Sequence, residues 1–158
     1  MSEGTPTATA ASKRVRCRDI MTSDVKTATR EMTLREVAEL MRDGDVGSIP
    51  VVEGGRLTGI ITDRDIVVRS IADGKGADAT VGEAMTNEIY SVRPDDFAFE
   101  AIRIMGDKQV RRIPVVTDSG ELAGIIAMAD VALEMEDERE IAETLEDISS
   151  GSGFWSKK

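Results

Sequence analysis

The chain repeats itself, and that repeat limits what it can fold into more than any other feature. Displaced by 64 residues, Met21-Thr22 falls on Met85-Thr86, Glu36 on Glu100, Met41 on Met105 and Asp43 on Asp107. Ile49-Pro50-Val51-Val52 falls on Ile113-Pro114-Val115-Val116. The offset then becomes 65, so that Gly59-Ile60-Ile61 meets Gly124-Ile125-Ile126 and Asp65 meets Asp130. The slip of one residue lies where Glu53-Gly54-Gly55-Arg56 faces Thr117-Asp118-Ser119-Gly120-Glu121, a turn, where an insertion costs least. A period beyond about 50 residues indicates duplicated small domains rather than a solenoid.

Each copy reads as strand, helix, strand, strand, helix. In the first, Val25 to Ala28 is a short strand, and Thr33-Leu34-Arg35-Glu36 is a capping box. It opens a helix with Leu34, Val37, Ala38 and Met41 on one apolar face, which Gly44 is expected to stop. Ile49 to Val52 and Leu57 to Ile61 are strands joined by a hairpin turn at Glu53-Gly54-Gly55. A second helix is expected from Thr62 to about Asp73. The second copy repeats this with Ile89 to Val92 and a helix after Pro94-Asp95-Asp96 presenting Ala98, Ala101, Ile102 and Met105. It continues with strands Ile113 to Val116 and Leu122 to Ile126, then a helix from Met128. Neither half, at about 60 residues, buries much surface alone, so the two are expected to pack face to face about a pseudo-twofold axis. The fold class is α/β (α+β), with tandem repeats.

Composition narrows the function. The 158 residues are 41 % hydrophobic but only 3 % aromatic, so aliphatic side chains and methionine must build the core. A net charge of −10 argues against nucleic-acid binding, which needs a basic face to displace counterions, and against an anionic membrane surface. No stretch approaches the roughly 18 apolar residues of a membrane-spanning helix. A single cysteine, Cys17, rules out an intramolecular disulfide and fits a reducing, cytoplasmic compartment; a partly buried structural thiol is the expected role. The chain has no histidine, so Ser-His and Cys-His nucleophiles are excluded, and no CxxC, HExxH or Walker glycine run occurs. An enzyme is not expected.

The small, polar segment 1–14 is expected to be a disordered tail. Beyond Asp130 the last helix is expected to continue through Ile141 and Leu145 as an acidic C-terminal helix, 136–158 holding that helix and a flexible Ser/Gly-rich end. A solvated helix face and a partner-docking or dimer helix both fit it.

Each copy resembles a CBS domain, the family named for cystathionine β-synthase. The resemblance is carried by Arg18-Asp19-Ile20-Met21-Thr22, by the two Ile-Pro-Val-Val strands, and by Gly59-Ile60-Ile61-Thr62-Asp63-Arg64-Asp65. It implies a first CBS domain over 15–76, a second over 77–135, and a Bateman-type regulatory pair with a nucleotide-binding cleft between the domains. The implied ligands are AMP, ADP or ATP, with NAD or S-adenosylmethionine as further members of the class; no resident cofactor or metal is implied. Homodimers are common in the family. Here a homodimer is also expected from apolar surface on the helices Thr33 to Asp43 and Asp96 to Asp107.

An adenosine ligand needs an anion site, an acceptor for its ribose diol and an apolar slot. Thr62-Asp63-Arg64-Asp65 stands where a strand gives way to a helix, where free N–H groups and the helix dipole favour phosphate. In the family the matching Asp holds the ribose and the matching Thr lies by the phosphate. Thr62 and Asp65 also spell a capping box, and the residues alone leave both roles open. Asp130 persists opposite Ala127, which has no capping hydroxyl, and this favours a ligand role for the acid. The slot is assigned to Ile49, Pro50 and Ile60, beside Lys26 and Thr27. A weaker second site is expected around Asp130, Ser91, Ile113 and Pro114, because Ala127 removes its hydroxyl. Arg111 and Arg112 stand where the first copy has Gly47-Ser48; one is expected to face solvent and the other the cleft, an ion pair with the acidic surface being the alternative.

The expected function is therefore a stand-alone sensor that binds an adenosine-containing nucleotide and signals to a regulated protein the sequence does not identify. The alternative is an interaction scaffold with degenerate clefts, docking through the acidic C-terminal helix.

Overall fold

Ser48–Glu53 (β1) and Arg56–Thr62 (β2) pair antiparallel through a two-residue turn. Gly54 and Gly55 have φ of 57° and 80°, the doubly positive geometry whose twist matches that of paired strands. The pairing runs from Glu53 opposite Arg56 to Ser48 opposite Thr62, with a bulge beside Val51 and Val52. The computed structural model describes residues 15–134 together with 146 and 148. The acidic helix and tail expected over 136–158, apart from those two positions, and the tail expected over 1–14 lie outside the described residues.

Before the hairpin, Cys17–Ile20 forms α1 and Leu34–Gly44 forms α2. Thr33 Oγ1 accepts from Glu36 N–H at 3.2 Å, and Glu36 Oε2 accepts from Thr33 N–H at 2.8 Å, completing the capping box. Gly44 does not stop this helix: it is its last residue, and Asp45 takes the left-handed conformation at φ 51°. Asp tolerates that region better than most residues because its short side chain bonds locally. After β2, Asp63–Asp65 (α3) passes into a π-helical stretch, Ile66–Ile71, in place of one regular helix to Asp73. Val81–Ala84 is α4 and Ala98–Lys108 is α5. Arg112–Val116 (β3), Leu122–Ala127 (β4) and Met128–Glu134 (α6) close the described chain. The fold is thus mixed, with two small antiparallel hairpin sheets among helices.

The short strands expected at Val25–Ala28 and Ile89–Val92 shrink to one bridging residue each. Ala28 lies parallel to Val51 and Val92 parallel to Val115. Ala28 N–H donates to Pro50 O at 2.9 Å and its carbonyl accepts from Val52 N–H at 2.9 Å; Val92 makes the matching pair with Pro114 and Val116. Each proline spends its carbonyl on this bridge, and its missing N–H points to the same side, just past the single paired residue.

Two compact units emerge. One holds Asp24–Ile89 with Ser119–Leu122; the other holds the described parts of Met1–Ser23, Tyr90–Asp118 and Ala123–Lys158. The packing boundary therefore differs from the division at 76/77 that the repeat suggests. Thr86, which heads the second copy, pairs with Ile60 of β2, while Thr22, which heads the first, pairs with Ile125 of β4. Each hairpin gains a further edge from the opening residues of the other copy. The first core centres on Val37, Ile49, Val51, Ile61 and Val81, and the second on Cys17, Ile102, Met105, Ile113 and Ile126.

The helices on which the dimer expectation rested are covered within their own units. Leu34, Val37 and Met41 of α2 are buried, as are Ala98, Ala101, Ile102 and Met105 of α5, while Ala38 is exposed. Among the described residues, large apolar side chains are exposed instead on the π-helical stretch, where Val67, Val68 and Ile71 are 55 %, 51 % and 63 % accessible, and at Leu133, which is 85 % accessible.

Candidate functional site

Alternation along the first hairpin sorts its residues into two faces. Ile49, Val51 and Ile61 are buried in the core, so residues one step away along the strands point to the other side. That second face carries Ser48 and Pro50 of β1 opposite Thr62 and Ile60 of β2. Ile49 is thus a core residue and not part of a base slot, because the helices pack on its face of the hairpin. Pro50 is buried, whereas Ile60 and Thr62 are partly accessible. Lys26 and Thr27 are exposed and lead into the Ala28 bridge beside β1. A Cβ added at Gly44 would lie 3.5 Å from Lys26 Cδ, which places the lysine stem along the end of α2.

Ser48 was invisible as a site residue in the sequence, where Gly47-Ser48 reads only as small and neutral. Its Oγ is buried and has no hydrogen-bond partner among the described residues. A buried hydroxyl with open donor and acceptor capacity carries a desolvation cost that a bound polar atom would offset. The signal that would have found it is register: it stands directly across the ladder from Thr62.

At the end of β2, Thr62 and Asp65 cap each other. Thr62 N–H donates to Asp65 Oδ2 and Asp65 N–H donates to Thr62 Oγ1, both at 3.0 Å. Asp65 is only 12 % accessible, and its remaining acceptor capacity is lightly used. Thr86 Oγ1 donates to it at 3.4 Å, and Arg69 Nε lies 3.8 Å away while its Nη1 donates to Met85 O at 3.2 Å. The carboxylate is oriented by its own turn and still able to accept from a diol.

The expectation of free N–H groups for a phosphate does not hold here. Asp63 N–H donates to Gly47 O at 2.9 Å, Arg64 N–H to Asp63 Oδ1 at 2.8 Å and Asp65 N–H to Thr62 Oγ1. The three leading amides are satisfied by the chain itself: two by the short oxygen-bearing side chains of Asp63 and Thr62, and that of Asp63 by the carbonyl of Gly47. Arg64 is exposed.

The second unit reproduces half of this turn. Ala127 N–H donates to Asp130 Oδ2 at 3.2 Å, and Met128 N–H donates to Arg111 O at 2.9 Å, as Asp63 does to Gly47. Asp130 therefore has a structural task that needs no hydroxyl at position 127. Its persistence is explained by that contact and does not favour a ligand role. Ile113 is a core residue and Pro114 is buried, while Ser91 is exposed. Arg111 is exposed and Arg112, which begins β3, is partly covered.

Cys17 is fully buried, and its Sγ lies 3.8 Å from Phe97 O. Burial, with smaller contributions from Asp96 and Glu100, pushes its pKa up to about 12. At pH 8 a group with such a pKa is ionised in roughly one molecule in ten thousand, against about a quarter of ordinary thiols. A thiol reagent at pH 8 should therefore label the chain only when denaturant is added; rapid native labelling would contradict this burial. With the folded pKa above the unfolded one, the thiol's contribution to stability is complete below about pH 8.5 and is lost as pH rises toward 12.

Among the described residues, no three His, Cys, Asp or Glu side chains group to hold a metal ion. No described helix is long and apolar enough to cross a membrane.

Comparison with known proteins places these residues in context. The CBS domain family model matches residues 17–71 and 81–137. The CBS domain-containing protein YhcV of Bacillus subtilis is 39 % identical over 132 residues, covering 84 % of this chain and 94 % of that protein. The crystal structure of Hypoxic Response Protein I, with two coordinated zinc ions, is 36 % identical with a TM-score of 0.70, covering 77 % of this chain and 99 % of that one. The CBS domain pair of protein MJ0100, solved with 5′-methylthioadenosine and S-adenosyl-L-methionine, is 26 % identical with a TM-score of 0.68, covering 75 % and 94 %.

Proposed function

The chain belongs to the CBS-domain family, and from that premise we propose that it is a regulatory module, not an enzyme, whose first unit holds an adenosine-containing ligand. The observation that carries this reading is the carboxylate of Asp65. It is oriented through Oδ2 by Thr62 N–H at 3.0 Å, is 12 % accessible, and keeps acceptor capacity for a ribose diol. Ile60, on the same side of the hairpin as Thr62 and partly accessible, supplies apolar surface for a base, with the buried Pro50 packed beneath it on that face. Arg64 and Lys26 supply exposed positive charge nearby. The likeness to a pair solved with adenosine ligands supports the same class of ligand here. The second unit, with Ala127 in place of the threonine, is a weaker site or none. Signalling follows if the ligand favours one of two states of the module, by as much as its affinities for them differ.

Thermal melts with AMP, ADP, ATP, NAD and S-adenosylmethionine test the reading. A ligand at a hundred times its Kd stabilises by about 2.7 kcal/mol, an increase in Tm of roughly 5–10 °C. Calorimetry should return one tight site per chain. No shift with any adenosine compound would leave the scaffold reading, docking through the segment 136–158. A homodimer belongs to the same proposal, supported by the exposed Val67, Val68 and Ile71. A monomer mass in light scattering across micromolar concentrations would remove it.

A further inference from the structure

We infer that the first-unit site selects an adenosine whose 5′ substituent is uncharged or cationic, and that Asp63 is the residue that turns polyphosphates away. This rests on the adenosine reading above and narrows its ligand class. A phosphate at the start of a helix is held by N–H groups that lack partners within the helix. Here those groups are already spoken for: Asp63 N–H by Gly47 O at 2.9 Å, Arg64 N–H by Asp63 Oδ1 at 2.8 Å, and Asp65 N–H by Thr62 Oγ1 at 3.0 Å. An anion would have to break bonds that the turn makes with itself.

Charge points the same way. The Asp63 carboxylate lies over Gly47, where a Cβ would begin 3.1 Å from Oδ2. Gly47 adjoins Ser48, which is paired across the ladder with Thr62. A fixed negative charge therefore stands at the end of the hairpin where the Thr62 hydroxyl lies, and Asp65 adds a second. Of the cations beside the turn, Arg69 is already turned to Asp65 and Met85 O, while Arg64 and Lys26 carry exposed charge, the Lys26 stem running along Gly44. Each phosphate group of a polyphosphate would bring further negative charge against the exposed Asp63 carboxylate and the 12 % accessible Asp65, the second of which is screened less than a charge in open water. A thioether or sulfonium adds none. Independently, the Ser48 Oγ, buried and without a hydrogen-bond partner among the described residues, lies on the same side of the hairpin as Thr62 and is a neutral hydroxyl suited to an uncharged polar atom of a nucleoside.

Calorimetry on the full chain with 5′-methylthioadenosine, S-adenosylmethionine and ATP tests this. One of the first two should bind at least about tenfold more tightly than ATP. In Asp63→Asn, whose amide oxygen can still accept from Arg64 N–H, the ratio of ATP affinity to 5′-methylthioadenosine affinity should rise by about tenfold. ATP binding as tight as the thioether, or an unchanged ratio in a folded Asp63→Asn, would overturn the selectivity and leave the adenosine reading intact. Binding of none of the three would remove both.

Discussion

Gly124→Ala should lower the melting temperature by about 6–12 °C, the equivalent of about 3 kcal/mol in a chain of this size. The added Cβ would lie 2.7 Å from Thr22 O and 2.8 Å from Met21 Sδ. Thr22 O is also the acceptor for Ile125 N–H at 3.0 Å, and Thr22 N–H donates to Ile125 O at 2.9 Å. The methyl therefore meets backbone that is itself bonded to the next residue along β4, and the Met21–Thr22 edge must lift away. Both hydrogen bonds are lost or stretched when it does, and the overpacking adds its own cost. Gly59 has the same relation to Thr86, with a Cβ 2.8 Å from Thr86 O, so Gly59→Ala should act similarly on the other unit. Gly76→Ala is the control, since nothing lies within 4 Å of its added Cβ, and it should stay within about 0.5 kcal/mol of the parent. A melting temperature for Gly124→Ala within about 2 °C of the parent would mean that the opening residues of the first copy are not seated on β4.

Asp65→Asn should separate the two roles of that acid. As a cap, Asp65 gives Thr62 N–H its acceptor at 3.0 Å, and an amide oxygen can replace it at a cost on the order of 1 kcal/mol or less. As a ribose ligand, it loses a charge-assisted hydrogen bond and gains an NH2 where an acceptor is needed. Affinity should then fall by about 10- to 150-fold, or roughly 1.5–3 kcal/mol. Melting temperature and ligand affinity measured on the same variant distinguish the outcomes, with Asp130→Asn as the internal comparison. Unchanged affinity in a folded Asp65→Asn would retire the ribose assignment and leave only the capping box.

Much of the architecture was legible because it is written in neighbouring residues. The hairpin turn of Gly54 and Gly55, the Thr33–Glu36 box and the apolar spacing of Leu34, Val37 and Met41 each depend on contacts within about one or two turns of chain. The same holds for the mutual cap of Thr62 and Asp65, three residues apart, and the repeat carried the helix and strand readings to the second copy, where Ala127 leaves only half of that cap. The lack of histidine needed no structure at all.

Tertiary structure decided the rest. Alternation shows that Ile49 and Ile60 lie on opposite faces of the hairpin, but only the packed helices determine which face is the core. That choice assigns Ile49 to the interior and leaves Ser48, paired with Thr62 by the ladder register, on the other face. The glycines in Gly59-Ile60-Ile61 and Gly124-Ile125-Ile126 are explained by strand edges supplied from Thr86 and Thr22, far away in sequence. The amides ahead of Asp65 are satisfied partly by Gly47 O, a carbonyl from the beginning of the preceding strand. A local pattern carries the energy of contacts a few residues apart; which distant backbone completes a sheet edge or occupies an N–H is fixed only once the chain has closed on itself.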